Sequence, residues 1–140
     1  MKILVVNGPN LNMLGRRDPN HYGPLTLDEL NNAVRGYARA KGAETEFFFS
    51  NCEGELITEL QNSRADGIIL NAGAYSHYSY ALRDCVEILP QPVVEVHLSD
   101  ISKREDWRKT RVLDGVARAC FFGEKEKSYF HAVDFLCQKP

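Results

Sequence analysis

A chain of 140 residues, 44% hydrophobic and 26% charged, is long enough to bury one proper core and short for a second domain. A formal net charge of -2 supplies no basic footprint for nucleic acid or anionic lipid, and no apolar run reaches the roughly 18 residues of a membrane span. Cys52, Cys85, Cys120 and Cys137 are scattered without a CxxC pair, and the chain opens on a strand-like run, so a reduced, cytoplasmic protein with a small-molecule or protein partner is expected.

The first element is the run Ile3 to Val6 within KILVV, which reads as a strand buried on both faces. The stretch Asn7 to Gly23, NGPNLNMLGRRDPNHYG, follows directly. Its three glycines and two prolines predict a shaped loop free of helix and ladder, and a loop this long in a compact domain is usually functional. Thr26 and Glu29 then form a capping box, and Leu27, Leu30, Val34, Tyr37 and Lys41 share one helical face until Gly42. Strand two is read at Glu44 to Ser50, and Leu56, Ile57 and Leu60 mark a second helix ending before Asp66 and Gly67.

GIIL, Gly67 to Leu70, is the third strand. Ser79 to Leu89 form a helix punctuated by Pro90 and Pro92, with Ala81, Leu82 and Cys85 turned inward, and Val93 to His97 are the fourth strand. A short helix is expected within Ser102 to Lys109, a fifth strand at Ala117 to Phe122, and a closing helix whose buried stripe is Tyr129, Ala132, Val133 and Leu136. Five such units predict an α/β fold, a flavodoxin-like, doubly wound five-stranded parallel sheet of order 2-1-3-4-5, in a single domain over residues 1–140.

In that sheet the loops after strands one, three and four leave the same edge around the switch point, where a pocket belongs. The first brings Asn10, Arg16, Arg17, His21 and Tyr22; the second brings Asn71, Gly73 and His77; the third brings Ser99, Arg104 and Arg108. Glu95 and His97 lie two residues apart on one strand and so point to one side. A carboxylate beside an imidazole fixes its tautomer and raises its basicity, as general acid-base work requires; taken alone, such a pair is more often two polar groups at a strand end satisfied by water. His131 falls on the outer face of the last helix.

HExxH, HxH and clustered carboxylates are all missing, as are GxGxxG, GxxxxGK[ST] and GxSxG, so no metal and no nucleotide cofactor are expected. What remains is proton donors and acceptors, guanidinium groups and amides, suited to a small, polar, anionic substrate.

GPNLN, GRRDPNHYG with TL, SNCEGELI, NAGAYSHYSYALRD and PVVEVHLSDISKREDWR, in that order, resemble the signature blocks of the type II 3-dehydroquinate dehydratases from residue 1 to about residue 110. The resemblance implies a cofactor-free hydro-lyase that converts 3-dehydroquinate to 3-dehydroshikimate through an enolate, serving the shikimate pathway or quinate breakdown. It also implies an assembly of twelve subunits built from trimers. On these positions Tyr22 would take the proton from the carbon beside the ketone, with Arg17 holding it anionic. Asn10 would steady the enolate through a water, and His97, oriented by Glu95, would protonate the departing hydroxyl. Asn71, Gly73, His77, Arg108 and the amides of Leu98 and Ser99 would hold the substrate, Arg104 is a further candidate, and Asp84 would reach a neighbouring subunit's site.

Elementary electrostatics agrees with that division of labour. A free tyrosine titrates near pH 10, so the phenolate is scarce at neutral pH. A guanidinium about 4 Å away favours the anion by on the order of 4 kcal/mol at an effective dielectric of 20. The chain departs from the family pattern at Asp100, where asparagine is usual, and at Arg111, where serine is common. It also departs in the charged interval between Gly123 and Tyr129. A non-catalytic binding module on the same fold, or a lyase or isomerase for a related polyol acid, are the alternatives.

Overall fold

The computed structural model describes residues 1–138 and holds a five-stranded parallel sheet in the order β2-β1-β3-β4-β5. The strands are β1 (Lys2–Asn7), β2 (Glu44–Phe49), β3 (Gly67–Asn71), β4 (Val93–His97) and β5 (Ala119–Phe122). Residues of β1, β3 and β4 are almost wholly buried, as continuous apolar runs covered on both faces should be.

The side chains of each strand alternate between two cores. Ile3, Val5, Ile69, Val94 and Val96 pack with α2 (Leu27–Ala40) and α5 (Glu126–Cys137). Leu4, Val6, Ile68, Leu70 and Val93 pack with α3 (Glu53–Asn62) and α4 (Tyr80–Ile88). Burying one such leucine or isoleucine contributes about 1.5–3 kcal/mol, so the alternation fixes the register of every strand.

Helix α2 starts where its capping box directs: Thr26 accepts from the Glu29 amide at 3.2 Å, and the Glu29 carboxylate accepts from the Thr26 amide at 3.2 Å. Its buried stripe is Leu30, Val34 and Ala38; Lys41 stays exposed, because its ammonium reaches outward to Asp134 at 3.5 Å. In α4 the buried residues are Leu82, Cys85 and Val86, while Ala81 faces out. The expected short helix after β4 is two 3₁₀ turns, Ile101–Lys103 and Asp106–Lys109, each too brief to close an α-helical ladder.

The first loop is not free of helix. Leu11–Met13 make a 3₁₀ turn, and α1 (Pro19–Tyr22) is a single α-helical turn. Pro19 sits at the first helical position, where its missing N–H costs nothing, and the Asp18 carboxylate accepts from the Asn20 amide at 2.9 Å to cap it. Gly8 and Gly73 let the first and second loops touch: a Cβ on Gly8 would lie 2.8 Å from the Ala72 carbonyl oxygen, and one on Gly73 would lie 3.0 Å from that of Pro9. No helix among the described residues is long and apolar enough to cross a membrane.

Candidate active site

At the carboxyl edge of the sheet, β1 ends on Asn7 beside Asn71 of β3, and β4 ends on His97. Both asparagines are buried, and Tyr129 of α5 ties them together. Its hydroxyl donates to Asn7 Oδ1 at 2.6 Å and accepts from Asn71 Nδ2 at 2.9 Å. Asn71 Oδ1 in turn accepts from the Gly73 amide at 3.1 Å. Complete burial holds the Tyr129 hydroxyl protonated well above the usual phenol range, so this network is a fixed floor rather than a reacting group. The sequence placed Tyr129 in the helix stripe and gave no sign that its hydroxyl would reach the strand ends.

Above that floor lies a cleft with a cavity volume of about 80 Å³, lined by polar and charged side chains from all three loops. The first loop lines it with Asn10, Arg17 and Tyr22, and the second with Asn71, Gly73 and His77. His97, Leu98, Ser99, Arg104 and Arg108 close the remaining side. Glu95 stands behind His97 with no exposed surface, and Asp84, on the exposed side of α4, does not line this chain's cleft. Arg16, His21 and His131 also lie outside the lining, the last paired with Glu124 on the surface.

Tyr22 sits between two guanidinium groups. Arg17 lies across its ring, 3.7 Å from the centroid, and donates to its hydroxyl oxygen at 2.6 Å. Arg104 donates to the same oxygen at 2.5 Å and to Ser99 at 3.2 Å. Burial, seconded by the nearby charges of Arg104 and Arg108, draws Arg17 below its ordinary value despite the pull of Tyr22; a guanidinium starting so high stays charged. The sequence reading gave this task to Arg17 alone. Arg104 is 82 residues away in the chain, and only the sheet edge brings it near.

Across the cleft, His97 Nε2 meets Glu95 Oε2 at 2.6 Å, as their placement on one side of β4 requires. The other Glu95 oxygen accepts from Arg111 Nε and Nη2 at 3.2 and 3.1 Å. Burial pushes the Glu95 carboxyl up, but the hydrogen bond and charge of His97, together with Arg111, outweigh it and hold the group below the usual carboxylate range. His77 stacks on His97 with centroids 5.8 Å apart. Burial lowers its pKa, so it is neutral near pH 7; its Nδ1–H donates to the Thr110 carbonyl at 2.7 Å, which presents Nε2 as an acceptor.

Glu95, His97 and Cys120 bring one ligand atom each within 4.8 Å, which is metal-like spacing. The chemistry does not suit an ion: both carboxylate oxygens are engaged, and burial, followed by the charge of Glu95, pushes the Cys120 thiol up to about 12. Substrate anions find better provision. Among the described residues the amides of Leu98 and Ser99, at the carboxyl end of β4, have no acceptor, and Arg104 Nε is buried without a hydrogen-bond partner.

A family model described as dehydroquinase class II matches residues 1–137. The chain belongs to that family. It is 46% identical over 136 residues to a 3-dehydroquinate dehydratase of Thermotoga neapolitana, covering 97% of this chain and 94% of the relative. It is 48% identical over 138 residues to one from Roseiflexus castenholzii, covering 97% and 88%. The crystal structure of a type II dehydroquinase from Butyrivibrio crossotus superposes with a TM-score of 0.95 at 41% identity, covering 99% of this chain and 98% of that one. The similarity therefore runs past residue 110 and takes in the last strand and helix, where sequence motifs alone carried little.

Proposed function

We propose that this member of the class II dehydroquinase family is a 3-dehydroquinate dehydratase, a hydro-lyase that eliminates water from 3-dehydroquinate to give 3-dehydroshikimate. The observation that carries the reading is a phenol held between two guanidiniums across a cleft from a carboxylate-bound imidazole. That puts a base and an acid on two sides of one cleft.

The Tyr22 phenolate takes the proton from the carbon beside the ketone, and the electron pair moves onto the ketone oxygen as an enolate. Asn10, which lines the cleft, steadies that oxygen through a water. Collapse of the enolate expels the hydroxyl, which takes a proton from His97 and leaves as water; proton transfer from Tyr22 back to His97 through solvent restores both groups. The Leu98 and Ser99 amides and Asn71 hold the substrate carboxylate, while His77 and Arg108 bind its hydroxyls, with Gly73 leaving room. The reaction draws on no metal or organic cofactor. The protein acts as one catalytic domain in the cytoplasm, in the shikimate pathway or in quinate breakdown, within a homo-oligomer of twelve subunits built from trimers. Asp84 reaches the cleft of a neighbour.

The test is to mix purified protein with 3-dehydroquinate, with and without EDTA, and follow the absorbance of the conjugated enone. Equal turnover in both is expected. No enone at any pH between 6 and 9 would remove the reading.

A further inference from the structure

Arg111 stands outside the cleft, yet it is the second partner of the carboxylate that holds the proton donor. Glu95 points to the α4 side of the sheet, as do Val93 and His97, and its neighbour in register on β5 is Cys120. That stretch of sheet is covered by the segment after Thr110, whose Val112 and Leu113 are buried. The backbone on both sides of Arg111 is pinned. The Thr110 carbonyl accepts from His77, the Val112 amide donates to the Ser76 carbonyl at 2.8 Å, and the Val112 carbonyl accepts from Arg83 at 2.6 Å. A guanidinium so held has its charge delivered to a fixed point, and that point is Glu95 Oε1.

We propose that Arg111 is a positioning residue that sets the proton-donating strength of His97 by sharing Glu95 with it. The inference rests on the dehydratase reading above and deepens it. A buried carboxylate committed to one imidazole concentrates its charge on the imidazolium and holds the proton back. When a permanent cation engages its other oxygen, less of that charge reaches the imidazole, and the proton leaves more readily. Arginine stays charged across the working range, so the bias is constant with pH. The titratable and charged groups around the Glu95–His97 pair are Cys120 on β5, Arg111 on the covering segment, which reaches Glu95, His77 from the second loop and Arg104 and Arg108 from the third. The thiol is neutral and the other two arginines face the substrate cleft. Arg111 alone acts from behind, through the carboxylate.

The experiment compares wild type, Arg111→Gln and Arg111→Lys by two readouts. One is the pH profile of kcat for enone formation; the other is the ring titration of His97 by NMR of histidine-labelled protein, assigned with His97→Asn. Removing the charge in Arg111→Gln moves the His97 titration and the basic limb of kcat upward by about one pH unit, the low end of the effect of one neighbouring charge. It lowers the plateau severalfold and leaves the acid limb in place. Arg111→Lys restores most of the wild-type position. A His97 titration that is unmoved or falls in Arg111→Gln overturns the inference and leaves Arg111 as a packing group. A wild type without turnover overturns the dehydratase reading instead, and the NMR titration still decides the role of Arg111. Should Arg111→Gln fail to fold, a Lys variant whose His97 titration departs from wild type as far as one pH unit overturns the charge argument.

Discussion

A single phenol oxygen with two guanidinium donors makes the base at Tyr22 a three-residue unit. Each arginine alone leaves one cation on the oxygen, so their losses should not add. Tyr22→Phe keeps the ring and removes the acid-base group, and should cost at least about 100-fold in kcat, the low end of general-base effects, with native circular dichroism. Arg17→Ala and Arg104→Ala should each retain measurable turnover, and the double variant should fall to the level of Tyr22→Phe. Steady-state kinetics on the four proteins decides the matter. If Arg104→Ala matches wild type, its contact with Tyr22 has no part in the chemistry.

Elements were legible where local chemistry was decisive. The capping box set the start of α2, Pro90 and Pro92 bounded β4 at Val93–His97, and the two-residue period put Glu95 and His97 on one side. Reading failed where a residue has two uses. Pro19 was taken as a helix breaker although it is a good first residue, and contacts such as Arg104 to Tyr22 or Tyr129 to Asn7 depend on loops meeting across the sheet edge. Lys125, just before α5, belongs at this scale too. It holds φ 54° and ψ -131°, a region glycine enters freely and lysine does not, while its amide donates to the Leu98 carbonyl at 3.0 Å. Such strain costs about 1–3 kcal/mol, against which a glycine loses about 0.5–1 kcal/mol of chain entropy. Lys125→Gly should therefore raise the thermal midpoint, by about 4 °C for a net gain near 1 kcal/mol. A lower midpoint would show that packing of the lysine stem on Gly23, where a Cβ would lie 3.3 Å from its Cδ, outweighs the strain.

One stripe of α4 leaves large hydrophobic side chains exposed in the isolated chain. Tyr80 and Ile88 are 69% and 72% exposed, and Asp84 lies midway between them at four-residue spacing, so the three share a face. An outward carboxylate on a helix is ordinarily just solvated. Flanked by a tyrosine and an isoleucine left in water, it is expected to lie on a face covered by a second copy, burial of the isoleucine alone then contributing about 1.5–3 kcal/mol per contact. A closed oligomer built on this face would carry Asp84 to a neighbour's cleft, which its place outside this chain's own cleft leaves it free to do. The expected outcome is an assembly of at least a trimer by light scattering. Ile88→Asp should dissociate it and lose turnover, and Asp84→Asn should lose turnover with the assembly intact. These two variants separate the roles, since one removes the contact and the other only the charge it delivers. A fully active monomer across a dilution series would sink the shared site, and an active trimer that never reaches twelve would point instead to the charged segment between Gly123 and Tyr129.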